Sequence, residues 1–345
     1  MEELLRGWDG EHVVVHYDHP TDAWIFIAIH STRLGNASGG TRMKVYDKPG
    51  DGLRDALRLA QGMTFKWAGI DFPMGGGKGV IALSRPLEAP ERDRLLERYG
   101  ELVETLAGGF STGADLGVGP DLVRVIGRET THVWGTRIAG DPGPWTALGV
   151  FTAIEAVAEE LYGSSELKGR TVLVQGVGDV GVPLCKRLWE AGAKLKLADL
   201  EAKQAAGIAE ELGAAAVDAK AVYDEPCDIF APCAVGAVLN AETVSRLDCK
   251  AIAGAANNQL EGPKDAETLH ERGILYAPDF ICNSGGAIVL LGLEALSMTE
   301  DYVTAKILSI REMLRAIFKE ARENNESPLH AAERLALRVL ERGPA

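Results

Sequence analysis

Two β-rich runs open the chain, residues 12–18 (HVVVHYD) and 24–31 (WIFIAIHS), parted by His19-Pro20-Thr21-Asp22. They read as a first hairpin. A small-residue loop follows, Leu34-Gly-Asn-Ala-Ser38-Gly39-Gly40-Thr41. Apolar residues at helical spacing (Leu53, Ala56, Leu57, Leu59, Ala60, Met63) predict a helix over 51–69. A glycine-lysine turn at 74–78 then leads into a strand over 79–83. The pattern predicts an amphipathic helix over 90–106, stopped by Gly108-Gly109, and a short strand from Phe110. It also predicts a short helix over 120–127. Gly135, Gly140, Pro142, Gly143 and Pro144 mark a linker and hinge.

Beyond the linker the pattern changes. Thr146 opens a long helix to about residue 161, and 169–175 is a continuous apolar run expected of a buried parallel strand. Strands expected at 194–198, 227–231, 250–254 and 273–277 alternate with helical segments, including an alanine-rich one over 202–212. Such βαβ alternation predicts a parallel, doubly wound sheet. From Gly285 onward the pattern is mostly helical. The expected fold class is α/β in two domains with a cleft between them. Residues 1–135 form the first and 145–326 a Rossmann-type second. The C-terminal helix, 327–345, is a candidate to pack back on the first domain.

Composition narrows the classes. The chain has 345 residues, 46% apolar and 25% charged, with a net charge of −14, which argues against nucleic acid and anionic membranes as partners. The first residues lack the basic start and long apolar run of a secretion signal, and no apolar stretch is long enough to span a membrane. Five cysteines form no CxxC pair. They read as reduced thiols of a cytoplasmic protein. Seven histidines show no ligand-like cluster, so no metal is expected.

Two stretches carry candidate chemistry. Gly176-Val177-Gly178-Asp179-Val180-Gly181 lies between an expected strand and helix, the context a dinucleotide fingerprint requires. Gly176 serves the turn, Gly178 the approach of a pyrophosphate, and Gly181 the packing of helix on strand. Asp199 ends the next strand, where an acid meets a ribose 2′-hydroxyl. Leu200-Glu201 follow, with no arginine for a 2′-phosphate, so NAD is favoured over NADP. The second stretch is Met74-Gly75-Gly76-Gly77-Lys78. It is no phosphate-binding loop, because Phe72 and Gly79 stand where that motif needs a glycine and a hydroxyl. Lys66 and Asp115 are further ionisable residues in unusual settings. A lysine in an apolar cleft near a second cation becomes a base near neutral pH. The second lysine can then grip a carboxylate, and an aspartate can pass a proton. Spacing alone equally allows a solvated helix-end Lys66, a solvated turn Lys78 and a capping Asp115.

Gly39-Gly40-Thr-Arg42, Met63-Thr-x-Lys66, Pro73-Met-Gly-Gly-Gly-Lys78, Thr112-Gly113-x-Asp115, Thr146-Ala-x-Gly149-Val150, the 176–181 loop, Ala253-Gly-Ala-Ala-Asn257-Asn258 and Asn283-Ser-Gly-Gly286 together resemble the glutamate/leucine/phenylalanine/valine dehydrogenases. The resemblance runs in order over nearly the whole chain. It implies reversible, NAD-dependent oxidative deamination of an L-amino acid to a 2-oxo acid and ammonia, by an oxidoreductase acting on CH–NH2. It implies that Lys66 binds the substrate carboxylate, helped by backbone at Gly39-Gly40 and by Asn258. Lys78 would activate water and Asp115 would handle the amino-group protons. Thr146 and Asn257 would lie against the nicotinamide. The first domain would also carry oligomerisation, as a homo-oligomer, and closure across the hinge would exclude water.

For the side-chain pocket the resemblance points to Ser38, Gly113, Ala287 and Leu290. Ser38 stands where glutamate enzymes carry a lysine, and Leu290 where they carry a hydroxyl. An unpartnered carboxylate there is costly, so glutamate is not expected. Gly113 stands where leucine enzymes tend to carry alanine, and the Gly113/Leu290 pairing resembles the phenylalanine enzymes. Phenylalanine is expected, with tryptophan or tyrosine as further aromatic substrates and leucine or valine as the alternative. An amine dehydrogenase would need Lys66 and Asn258 replaced. A non-catalytic NAD-binding regulatory module would have no reason to hold Lys66, Lys78 and Asp115 together.

Overall fold

A computed structural model describes residues 2–136 and 140–344, so residues 137–139 of the expected linker and residue 345 of the expected C-terminal helix lie outside the described residues. The chain divides into two compact units. One takes the residues up to Gly140, Leu293–Ser297 and those from Ala336 onward. The other takes Asp141–Gly292 and Met298–Leu335.

The first unit begins with α1 (Glu2–Arg6), β1 (His12–Asp18), β2 (Ala23–Ser31), β3 (Ala37–Ser38) and β4 (Thr41–Val45). It continues through α2 (Pro49–Gly69), β5 (Gly75–Leu83), α3 (Ala89–Glu104), β6 (Phe110–Ser111) and α4 (Pro120–Ile126). Among the described residues its sheet has six strands in the order β1-β2-β5-β3-β6, with β4 also on β5. β1, β2 and β5 run antiparallel; β3 and β4 run parallel to β5. The small-residue loop expected over 34–41 thus contains strand β3, the Gly39-Gly40 link and the first residue of β4. Their brevity hides any alternation.

The glycine run forms strand, where the sequence suggested a turn. β5 starts at Gly75, and none of Gly75, Gly76, Gly77 or Gly79 has a positive φ. The glycines are there for close approach. A Cβ on Gly76 would lie 2.0 Å from Thr64 Oγ1 on α2, one on Gly77 2.8 Å from the Phe110 ring, and one on Gly79 2.1 Å from the Tyr99 hydroxyl. Apolar side chains fill both faces of β2 and β5. Ile25, Ile27 and Ile81 meet Leu95, Leu96 and Tyr99 of α3 on one face. Phe26, Ala28 and Val80 meet Leu53, Ala56 and Ala60 of α2 on the other.

The second unit begins with α5 (Gly143–Tyr162), β7 (Thr171–Gln175), α6 (Gly181–Glu190), β8 (Lys194–Ala198), α7 (Ala202–Leu212), β9 (Ala215–Ala216) and β10 (Ile229–Pro232). Next come α8 (Ala241–Arg246), β11 (Ala251–Ile252), α9 (Pro263–Glu271), β12 (Leu275–Tyr276), α10 (Asp279–Cys282) and α11 (Gly285–Glu294). The last helices are α12 (Glu300–Leu308), α13 (Ile310–Asn324) and α14 (Pro328–Arg342), of which α14 belongs to this unit up to Leu335 and to the first from Ala336. Among the described residues its sheet is six-stranded and parallel, in the order β12-β11-β10-β7-β8-β9. This is the doubly wound sheet that the alternation implies. β11 and β12 are shorter than the apolar runs suggest, because the chain leaves the sheet into loops within two residues. The helix expected from Thr146 begins three residues earlier, at Gly143, with Pro144 in its first turn, where a missing N–H costs nothing. Among the described residues no helix is long and apolar enough to cross a membrane.

Candidate active site

Lys78 lies in the middle of β5 and is only 5% exposed. Its Nζ stands 3.1 Å from Asp115 Oδ1. Asp115 is held by its backbone: its N–H donates to the Val118 carbonyl and its carbonyl accepts from the Val118 N–H. Gly117, at φ +78°, makes the turn between them, and a Cβ there would lie 1.9 Å from the Met43 carbonyl oxygen. The second oxygen, Oδ2, accepts from Arg42 Nε at 2.9 Å. Arg42 reaches on to Asp55 Oδ2 at 3.1 Å, and Asp55 also accepts from the Tyr46 hydroxyl at 2.8 Å and from Arg58 at 3.1 Å. Asp115 therefore caps no helix end; it sits between two cations.

Burial pushes the Lys78 amine below its usual range. Asp115 opposes that shift and Arg42 adds to it. Burial works to raise the Asp115 carboxyl, but Lys78 and Arg42 outweigh it and hold the group below the usual carboxylate range. A buried amine that is easier to deprotonate, beside an aspartate kept ionised, is the arrangement general base chemistry needs.

Lys66 is half-buried in the last turn of α2. The next residue, Trp67, is fully buried and its indole N–H donates to the Ser38 carbonyl at 3.3 Å, which ties that turn to β3. Thr64, one turn back, packs on Gly76. Its hydroxyl is 2.9 Å from His30 Nδ1, and His30 Nε2 is 3.0 Å from Asp9. Gly39 and Gly40 fit against backbone. A Cβ would lie 1.8 Å from the Gly77 carbonyl oxygen in the first case and 2.4 Å from that of Ala114 in the second. Ser38 is fully buried and its Oγ accepts from Ser111 Oγ at 3.2 Å. The space beside Gly113 is filled: a Cβ there would lie 2.4 Å from two ring atoms of Trp134. The structure thus brings Lys78, Asp115, Ser38, Gly39 and Gly40 onto neighbouring strands and loops of one sheet. It adds Arg42, Asp55, Tyr46 and Trp134. Arg42 stood in the Gly39-Gly40-Thr-Arg motif; Asp55, Tyr46 and Trp134 carried no sequence signal.

In the second unit, each glycine of the 176–181 loop has a distinct environment. Gly176 has φ +97°, with Ala234 packed at 2.9 Å from where its Cβ would be. Gly178 has no heavy atom within 4 Å of that position, leaving a cradle that any side chain would fill. At Gly181, the first residue of α6, a Cβ would lie 1.9 Å from the Gly176 carbonyl oxygen. Asp199 follows β8. Its Oδ2 accepts from Val177 N–H at 2.8 Å and its Oδ1 from Glu201 N–H at 2.9 Å. Asp179 is exposed on the loop, and Val180 precedes α6. These residues fit a dinucleotide: an open approach at Gly178, a free helix N-terminus and a fixed acid.

The Asn257 side chain accepts from Asn283 Nδ2 at 2.8 Å. Asn258 takes φ +51°, and its carbonyl accepts from Ala237 N–H at 2.7 Å. Thr146 Oγ1 donates back to the Pro142 carbonyl at 3.0 Å, and Gly286 of α11 packs against it. Ala287 and Leu290 lie further along α11, half-buried and buried respectively. Among the described residues no group of three or more His, Cys, Asp or Glu side chains could hold a metal.

Two family models match the chain: "Glu/Leu/Phe/Val dehydrogenase, dimerisation domain" over residues 20–132 and "Glutamate/Leucine/Phenylalanine/Valine dehydrogenase" over 195–342. Leucine dehydrogenase of Geobacillus stearothermophilus is 39% identical, covering 97% of this chain and 91% of its own. L-Tryptophan dehydrogenase of Nostoc punctiforme is 40% identical over 97% and 94%. A crystal structure of L-tryptophan dehydrogenase from that organism matches with a TM-score of 0.87 at 38% identity, covering 99% of both chains. Phenylalanine dehydrogenase of Thermoactinomyces intermedius is 38% identical over 99% and 95%. The chain belongs to the Glu/Leu/Phe/Val dehydrogenase family and is an amino-acid dehydrogenase, an oxidoreductase that uses a nicotinamide dinucleotide.

Proposed function

We propose that this protein carries out NAD-dependent, reversible oxidative deamination of an apolar L-amino acid, phenylalanine first, yielding the 2-oxo acid and ammonia. The observation that carries the reading is the buried Lys78 amine 3.1 Å from an aspartate that Arg42 keeps ionised. Gly176–Gly181 would hold NAD, with Asp199 on its ribose, and the cofactor would supply the hydride acceptor for the substrate Cα. Lys66 grips the substrate carboxylate, with backbone at Gly39-Gly40 and the Asn258 side chain assisting. Neutral Lys78 deprotonates the water that attacks the resulting imine carbon. Asp115 passes protons to and from the departing nitrogen. Thr146 and Asn257 bear on the nicotinamide. NAD rather than NADP follows from Asp199 and from the absence of an arginine at 200–201, since a 2′-phosphate would meet a carboxylate.

Ser38, Gly113 and Ala287 are small and Leu290 is apolar, which suits a ring and leaves a γ-carboxylate without a partner. Branched-chain substrates are the second reading, favoured by the indole that already fills the space beside Gly113. The enzyme works as a homo-oligomer in the cytosol, where its five free thiols stay reduced. The test is NADH formation with L-phenylalanine, L-leucine and L-glutamate in parallel, for the wild type and Lys78→Ala. Turnover by Lys78→Ala at the wild-type rate would overturn the mechanism. L-Glutamate well ahead would overturn the pocket.

A further inference from the structure

Gly113 suggests an open pocket, yet its open side is covered. Trp134 is 7% exposed, and atoms of its six-membered ring would lie 2.4 Å from a Cβ at position 113. Glycine and indole are matched: the volume that one gives up, the other takes. Trp134 is held from both sides along the chain. Its N–H donates to the Thr112 carbonyl at 2.9 Å, and the Thr112 N–H donates to the His132 carbonyl at 2.9 Å. This bridge lays residues 132–134 alongside the strand end that carries Gly113 and Asp115. Trp134 also lines a pocket of about 510 Å³ in the first unit, whose walls include Asn36, Met74, Ser111, His132 and Leu296 but not Gly113. The indole Nε1 is buried with no partner among the described residues, so the ring is kept in place by packing and not by a hydrogen bond.

We infer that Trp134 is a specificity-determining residue: its indole closes the Gly113 side of the substrate pocket off from the 510 Å³ pocket and limits the substrate side chain to about one six-membered ring. The inference rests on the proposed amino-acid dehydrogenation with Gly113 in the side-chain pocket. Shortening residue 134 joins the two spaces and admits bicyclic side chains. Apolar contact of the size of a methylene already changes kcat/KM by roughly tenfold or more, so removal of an indole should act at least as strongly.

The experiment compares kcat/KM for L-leucine, L-phenylalanine and L-tryptophan in the wild type, Trp134→Ala, Trp134→Phe, Gly113→Ala and the double variant Gly113→Ala/Trp134→Ala, each checked by thermal unfolding. Trp134→Ala should raise the tryptophan-to-leucine ratio by about tenfold or more. Trp134→Phe keeps a wall and should move it by less than about threefold, and a folded Trp134→Phe with a raised ratio would count against the wall. Gly113→Ala should lower Tm, and the double variant should recover it. An unchanged ratio in folded Trp134→Ala, or additive Tm changes in the double variant, would overturn the inference. Absence of NADH from every amino acid in the wild type would instead overturn the proposed function.

Discussion

Replacing Arg42 with glutamine tests the electrostatic reasoning most directly. Arg42 joins two carboxylates, Asp115 at 2.9 Å and Asp55 at 3.1 Å, with its own side chain 17% exposed and theirs 24% and 18%. The guanidinium holds both carboxyls below the usual carboxylate range, against the burial that would raise them. Asp55 retains Tyr46 and Arg58 and Asp115 retains Lys78. Breaking a fully buried pair costs about 3–5 kcal/mol, and the partial exposure places Arg42→Gln near about 2–3 kcal/mol at pH 7. The sign with pH follows from linkage. Asp115 is depressed in the fold, so its stabilisation is present above its unfolded value and is lost as pH falls through the folded one. Urea midpoints of wild type and variant should therefore differ most near neutrality and converge below about pH 4. Arg42 also lowers Lys78, so both titrations move up when it is removed. The kcat/KM profile should shift as a whole to higher pH. Arg42→Lys keeps the charge without the fork that spans two carboxylates and should fall between. An unshifted profile together with a stability loss under about 0.5 kcal/mol would refute the argument.

Lys78→Ala should lower kcat by about 10²–10⁴-fold while NAD still binds, read by fluorescence titration; loss of both together would point to a structural role. Gly178→Ala should keep the wild-type Tm, because nothing lies within 4 Å, yet weaken NAD binding where the pyrophosphate must approach. Gly181→Ala should instead unfold at lower temperature, its Cβ lying 1.9 Å from the Gly176 carbonyl oxygen, and equal Tm losses for the two would contradict the division of labour. Gly76→Ala should cost about 1–3 kcal/mol or more by chemical denaturation, since Thr64 backbone as well as side chain lies within 2.6 Å of the new Cβ.

The parallel sheet was legible because each strand carries its own apolar run and each crossover its own helical spacing, as at 171–175 and 181–190. The strand-loop-helix setting of residues 176–181 is legible because Gly176, Gly178, Gly181 and Asp199 are set by one local unit, β7-α6-β8. The glycines before Lys78 suggest a turn in sequence yet form strand, for the opposite reason. What they accommodate, Thr64, Phe110 and Tyr99, comes from distant parts of the chain, so nothing nearby in sequence distinguishes a bend from a bare strand. Trp134 carries no local signal for the same reason, since its partner Gly113 lies 21 positions earlier. Asp55 looked like an ordinary polar position on an amphipathic helix, and only the fold brings Arg42, Tyr46 and Arg58 to it.

The charges around Lys78 have a parity. Lys78 and Arg42 bring two positive charges into the interior and Asp55 and Asp115 two negative ones, while Arg58 stands half exposed in solvent. The buried four balance when Lys78 is protonated and carry one net negative charge when it is neutral. Burial works against the proton on Lys78, and the two aspartates work for it. Under the proposed reaction, that opposition is what would let a single site load and unload a proton in either direction.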